Sequence, residues 1–240
     1  MKPRLKITRT QMKPRLKITR TLALLLAGIA AAHATPSGLN NIPTADTAPQ
    51  GTIVLQAFSS FGGANQFATS GPGKHSFWTG FKTGVDLSPV HLELGLDSPL
   101  GTGRSGPLQF QAKAGISPWK NGLFAIGIAG VALTDTGRSG DPFTYAVLSH
   151  DFRVARIHAG YGYQTNGSSF LVGVDRTWKV FDRNLNLNAD LVQSRDQRGL
   201  ITAVGGKYDL NRHVVLETWA NFPDRDSVSV IAKINFVFQF

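Results

Sequence analysis

From Val228 to the last residue, Phe240, the chain alternates. Val228, Val230, Ala232, Ile234, Phe236, Phe238 and Phe240 are apolar, and Ser229, Ile231, Lys233, Asn235, Val237 and Gln239 lie between them. A strand turns successive side chains to opposite faces, so one face here is apolar to the final residue and the other is mostly polar. A strand with one apolar face must cover it with a core or with lipid. This requirement constrains the fold more than any other feature of the chain.

The amino terminus reads as an export signal. Residues 1–10 recur unchanged at 12–21 with Gln11 between, which suggests a duplicated or misplaced start and Met12 as the true one. A basic stretch leads into an apolar run from Leu22 to Ala32 and then Ala32-His33-Ala34, an Ala-x-Ala cleavage pattern. The run is shorter than the roughly 20 residues that span a bilayer as a helix. Residues 1–34 are therefore expected to be a signal peptide, removed on export. The formal net charge of +10 resides mostly there, because 17 of the 25 Lys and Arg lie beyond residue 21, facing 15 acids. That balance gives no case for nucleic-acid binding. The chain has no cysteine, so disulfides and thiol chemistry are excluded.

Residues 35–50 carry Pro36, Pro43 and Pro49 and are expected to form an extended periplasmic lead. From Gly51 the period is close to two. It marks twelve strands, at 51–61, 74–86, 89–97, 107–117, 122–133, 143–150, 153–164, 168–178, 183–194, 199–208, 212–221 and 226–240. Their lengths suit tilted strands crossing a bilayer. Tight connections, such as Asp86-Leu87-Ser88-Pro89, alternate with mostly longer, Gly- and charge-rich ones. Short turns at one end and long loops at the other imply an all-β, antiparallel, up-and-down transmembrane barrel over 51–240, of about twelve strands (10–14 possible). Strand 122–133 is apolar on both faces and strand 51–61 is ambiguous. A soluble sandwich would show similar alternation, but not the signal, the terminal Phe and the two classes of connection.

A terminal amphipathic strand ending in Phe resembles the one by which bacterial outer-membrane barrels are recognised for assembly, which makes Phe236, Phe238 and Phe240 the expected assembly signal. The segment Pro36-Ser37-Gly38-Leu39-Asn40-Asn41-Ile42-Pro43-Thr44-Ala45-Asp46, followed by Gly51, resembles the mature start of a group of uncharacterised Gram-negative outer-membrane barrels. Phe143-Thr144-Tyr145-Ala146-Val147-Leu148-Ser149, Ala159-Gly160-Tyr161-Gly162-Tyr163-Gln164 and Glu217-Thr218-Trp219-Ala220 fit the same pattern. The lead is also loosely similar to that of the longer YjbH-like barrels associated with exopolysaccharide export. The resemblance implies the bacterial outer membrane as location. Its implied partners are outer-membrane lipid and lipopolysaccharide, the barrel-assembly machinery and exopolysaccharide, with no nucleic acid. It carries no catalytic residue.

Parity places Lys82, His91, Glu93, Lys113, Arg156, His158, Asp190, Lys207, Glu217 and Lys233 toward the lumen. A mixed-charge lumen is either filled by paired side chains or open as a selective pore. The expected function is passive: a small channel, or a structural or export-accessory barrel, with no catalytic residues, metal or cofactor. Two other readings stay open. The loops sharing Thr-Gly-Arg-Ser-Gly, at 102–106 and 136–140, would bind surface polysaccharide or lipopolysaccharide. Alternatively the barrel would be an outer-membrane lipid hydrolase. For the hydrolase, His158 lies on a strand while Ser149, His150 and Asp151 are read at a periplasmic turn. His91-x-Glu93 is too sparse a pattern for a metal site. Trp119, Trp178, Phe181 and Phe222 near strand ends suggest an interfacial girdle, while Trp78 and Trp219 come out inward.

Overall fold

A computed structural model describes residues 37–62, 75–100, 107–134, 141–165, 167–194, 199–224 and 227–240. Among them the strands are β1 (Thr52–Gly62), β2 (His75–Leu87), β3 (Val90–Leu100), β4 (Gln109–Trp119), β5 (Gly122–Ala132) and β6 (Phe143–Asp151). They continue as β7 (Arg156–Gln164), β8 (Gly167–Val180), β9 (Arg183–Ser194), β10 (Leu200–Asn211), β11 (Val214–Pro223) and β12 (Ser229–Gln239). Each pairs antiparallel with its sequence neighbours, and β1 pairs with β12, so the sheet closes on itself. This is the all-β, twelve-strand, up-and-down barrel that the period-two pattern implied. The expected signal (residues 1–34) and the two Thr-Gly-Arg-Ser-Gly loops lie outside the described residues.

The closing seam runs in register from Thr52↔Gln239 to Gly62↔Ser229. It ends where the Phe240 N–H donates to the Gly51 carbonyl at 3.0 Å. Gly51 has φ 71°, and a Cβ there would strike the Phe240 carbonyl, so this corner requires glycine. Both strand ambiguities have physical causes. In β5 the register slips where Phe110↔Val131 is followed by Ala112↔Ile128, an extra residue beside Gly130 at φ 71°. Such a bulge reverses the side-chain parity beyond it. In β1 the inward Val54 packs on Val215 and Val237, while Thr52, Gln56 and Ser60 are also buried inside. Polar and apolar residues thus share one face.

The outer wall is apolar and uncovered. Leu55, Val85, Ile126, Leu148, Val172, Leu187, Val204, Leu216 and Phe236 are all exposed. Trp119, Trp178 and Phe181 are exposed at the tight-turn end, Phe222 at the other end. Phe236, Phe238 and Phe240 face outward. Trp78 faces inward, buried and stacked on Phe58 at 5.9 Å. A concavity of about 870 Å³ lies over small outward residues of β10–β12 and β1, including Gly206, Ala220, Ala232 and Ala57.

One expectation is corrected. Residues 37–50 do not extend away from the barrel as a periplasmic lead. They run inside it, with Leu39, Ile42, Ala45 and Ala48 buried. The reason is that the inner wall offers those backbone groups the partners that water would otherwise supply.

Candidate functional site

The lead turns into the bore beside β2, where Gln50 bridges Gly84 in parallel. Its apolar residues recur every third position: Leu39, Ile42, Ala45 and Ala48. Leu39 and Ile42 join Phe143, Leu171 and Val192 in one buried cluster, toward the long-connection end of β6, β8 and β9. Ala45 joins Ala125 and Val147, with Leu123 and Tyr145 against them. This contact is why β5 is apolar on its inner face as well as its outer one. Four inward glycines make the room. A Cβ on Gly84 would meet the Ala48 and Pro49 carbonyls, and one on Gly173 would meet Leu39 and Ile42. On Gly205 it would meet Asn40, and on Gly115 the Ala45 carbonyl.

The inner-wall charges serve the lead's backbone. Asp190 accepts the N–H groups of Asn40 at 2.8 Å and Asn41 at 2.9 Å. Glu93 accepts the Ala48 N–H at 2.8 Å and the Ser37 hydroxyl. Lys113 donates to the carbonyls of Asp46 at 2.7 Å, Thr44 at 3.1 Å and Ser37 at 3.4 Å. Lys207 donates to the Gly38 carbonyl. Arg156 donates to the Asp46 carboxylate at 2.8 Å, and Asn41 donates to Asn221 at 2.8 Å. Hydrogen bonds to charged groups contribute about 1.5–3 kcal/mol each. Fixing each backbone residue costs about 1–2 kcal/mol. These bonds and the burial of Leu39 and Ile42 together offset that cost.

The other inward charges pair along the wall. Glu217 on β11 lies 3.9 Å from Lys207 on β10 and 3.8 Å from Lys233 on β12. It also accepts from Asn235 at 2.7 Å. Lys113 lies 3.9 Å from Glu93. Asp97 accepts from Gln56 at 2.6 Å and Gln111 at 2.7 Å. Across β6, β7 and β8 runs a continuous chain of hydrogen bonds. Ser149 Oγ lies 2.7 Å from His158 Nδ1, and His158 Nε2 lies 2.7 Å from Asp175 Oδ1. Asp175 also accepts from Arg156 Nε at 2.9 Å. The Ala45 N–H donates to Ser149 Oγ at 3.0 Å.

Of the inward residues named from sequence, Lys82, Glu93, Lys113, His158, Asp190, Lys207 and Glu217 are buried inside, and Lys233 and Arg156 join their networks. His91 differs. It sits at the tight-turn rim, its side chain 45% exposed, 3.4 Å from Asp86. Ser149 is also placed differently from its reading at a turn: it lies within β6 and points inward, fully buried. Ser37, Asn40, Asn41, Thr44 and Asp46 were missed altogether. The available signal was the three-residue apolar spacing of the lead beside the inward glycines.

No protein-family profile and no curated sequence matches the chain. Solved structures do. A KdgM porin in complex with disordered oligogalacturonate is 8% identical, with TM-score 0.52 over 78% of this chain and 99% of that one. An outer membrane channel from Pseudomonas putida F1 is 11% identical, with TM-score 0.54 over 87% and 98%. The NanC porin is 11% identical, with TM-score 0.50 over 78% and 99%. At these identities the likeness shows the fold.

Proposed function

We propose that the protein is an outer-membrane channel of a Gram-negative bacterium whose bore is held closed by its own residues 37–50. The seated segment carries this reading: the polar interior is occupied by a peptide that wall side chains hold through hydrogen bonds. The exposed apolar wall supports the membrane setting. An outer face of Leu, Val, Ile and Phe around a whole barrel exceeds the apolar patches that soluble monomers tolerate, and lipid covers it. The porin and channel folds of the similar structures agree. The tight-turn end, which carries both ends of the barrel sheet, faces the periplasm. Lipid and lipopolysaccharide surround the wall, and the assembly machinery reads the terminal strand.

Planar-bilayer recording of the refolded protein tests the reading. The wild type should show a mostly closed state with infrequent, discrete openings. Asp190→Ala removes the acceptor of the Asn40 and Asn41 N–H groups and should raise the open fraction about tenfold, the effect of about 1.4 kcal/mol. Silence in both would exclude a channel.

A second expectation concerns Phe240. Its side chain is outward, and its N–H closes the seam on Gly51. Deleting it should lower the amount of barrel in the outer membrane several-fold while the exported chain still reaches the periplasm. Fractionation with heat-modifiable migration measures both, and normal assembly of the shortened chain would contradict this role.

A further inference from the structure

We propose that Ser149 and His158, with Asp175 orienting the imidazole, form a hydrolytic site for short-chain carboxylic esters, masked by the Thr44–Ala45 peptide. Three adjacent strands build it rigidly. Ser149 on β6 stands directly opposite His158 on β7. His158 stands opposite Gly173 on β8, and Asp175 lies two residues along the same face. At Gly173, between them on this face, the missing side chain leaves room that Leu39 and Ile42 of the seated segment fill.

The hydrogen-bond order sets the chemistry. A carboxylate only accepts, so Asp175 draws the proton of His158 to Nε2, 2.7 Å away. The Nδ1 lone pair then faces the Ser149 hydroxyl at 2.7 Å, a nucleophile and base in contact with a third group orienting the base. The imidazole is reversed relative to the common serine-hydrolase arrangement, with Nδ1 on serine, but the roles follow geometry and not atom names. Arg156 and Asn186 hold Asp175 in place. Asp175 is thus a positioning residue.

A peptide unit of the seated segment covers the site. The Thr44 carbonyl accepts from Lys113 at 3.1 Å, and the N–H of the same peptide unit donates to Ser149 Oγ at 3.0 Å. Lys113 and Ser149 thus hold opposite ends of one trans peptide unit, and its N–H caps the nucleophile. The peptide itself is not placed for attack. Its N–H points at Oγ, so Oγ lies near the peptide plane and away from the approach to the carbonyl carbon. The Ala45 methyl fills a small apolar recess of Ala125, Val147, Leu123 and Tyr145. With the segment displaced, that recess suits a short acyl chain.

In the reaction, the Ser149 Oγ–H bond breaks and its proton passes to His158 Nδ1 as Oγ bonds to the ester carbonyl carbon. Negative charge collects on the carbonyl oxygen as the tetrahedral intermediate forms. Collapse breaks the ester C–O bond, and the alcohol leaves with the proton from His158. Water, giving a proton to His158 Nδ1, then attacks the acyl carbon; the acyl–Oγ bond breaks, His158 returns the proton to Ser149 Oγ, and the carboxylic acid leaves.

A fluorophosphonate probe with mass spectrometry of the full-length, folded protein tests the site, with p-nitrophenyl acetate as the turnover substrate. Wild-type protein should label slowly at Ser149. Asp190→Ala, which loosens the segment, and Ala45→Pro, which removes the capping N–H whether or not the bore opens, should each label about tenfold faster. In the Asp190→Ala background, His158→Gln should reduce labelling about 10²–10⁴-fold, and Ser149→Ala should abolish it. Asp175→Asn should change the pH profile of turnover, which a purely structural role would not do. No adduct at Ser149 in either loosened variant, or labelling indifferent to His158→Gln, overturns the proposal. Bilayer conductance of the same samples reports on the channel separately, and heat-modifiable migration confirms that each is folded.

Discussion

Replacing Gly84 by leucine should convert a mostly closed protein into an open one. The space where a Gly84 side chain would stand holds the carbonyls of Ala48 and Pro49, and Gln50 bridges Gly84 at the point where the segment enters the bore. Backbone that close cannot give way as a flexible side chain does, so the segment must leave. The barrel itself has no reason to fail. Gly84 pairs with Glu93 in an intact β2–β3 ladder, and its neighbours Thr83 and Val85 point outward. Losing about 3 kcal/mol of seating would shift the open-to-closed ratio about a hundredfold. Single-channel recording should show long openings, and protease added from the tight-turn side should cleave within 37–50 only in the variant. A folded Gly84→Leu protein that stays closed and protected would show that the segment does not govern the bore.

Glu217→Leu should produce the largest loss of stability of any single inward substitution. Glu217 stands in direct register with Lys207 on one side and Lys233 on the other. Glu217 and Lys207 are buried, the Lys233 side chain is 11% exposed, and Asn235 completes the glutamate's hydrogen bonding. Leucine would leave two ammonium groups facing each other across an apolar side chain. Removing one member of a buried ion group costs about 3–5 kcal/mol, because the remaining charge is stranded. Adding Lys207→Met and Lys233→Met should recover most of the loss, since well-packed apolar replacements are often neutral. Urea titration of the heat-modifiable band measures both. An unchanged midpoint in Glu217→Leu would mean that water reaches the two lysines freely.

The wall was legible and its contents were not, for one physical reason. A strand's faces are set by its own alternation, and each strand of an up-and-down barrel pairs with its sequence neighbours. Local pattern therefore carries the whole topology, down to the β1–β12 seam. The exceptions are local too: the extra residue at Gly130 in β5 and the mixed inner face of β1. The seat of the lead is assembled differently. Asn41 meets Asn221 and Asp190, and Asp46 meets Arg156, over separations that no periodicity encodes. From sequence, Lys113, Glu93 and Asp190 showed only that they faced inward. What they bind there is the main chain of residues whose side chains give little sign of it. Ser149 was within reach, because Phe143, Tyr145, Val147 and Ser149 share one face of β6, and its place near the strand end hid that.

The position of the segment in the chain bears on how each molecule matures. Its seat is built from side chains on β3 to β11, whereas the segment precedes β1. It is made before every strand that holds it. Docking it closes some of the longest loops in the molecule, an entropic cost met only once those strands stand in register. The segment therefore waits without its full set of partners until β11 has been made. The order of the chain thus sets an order of events: the seat of residues 37–50 is complete only when β11 is in place.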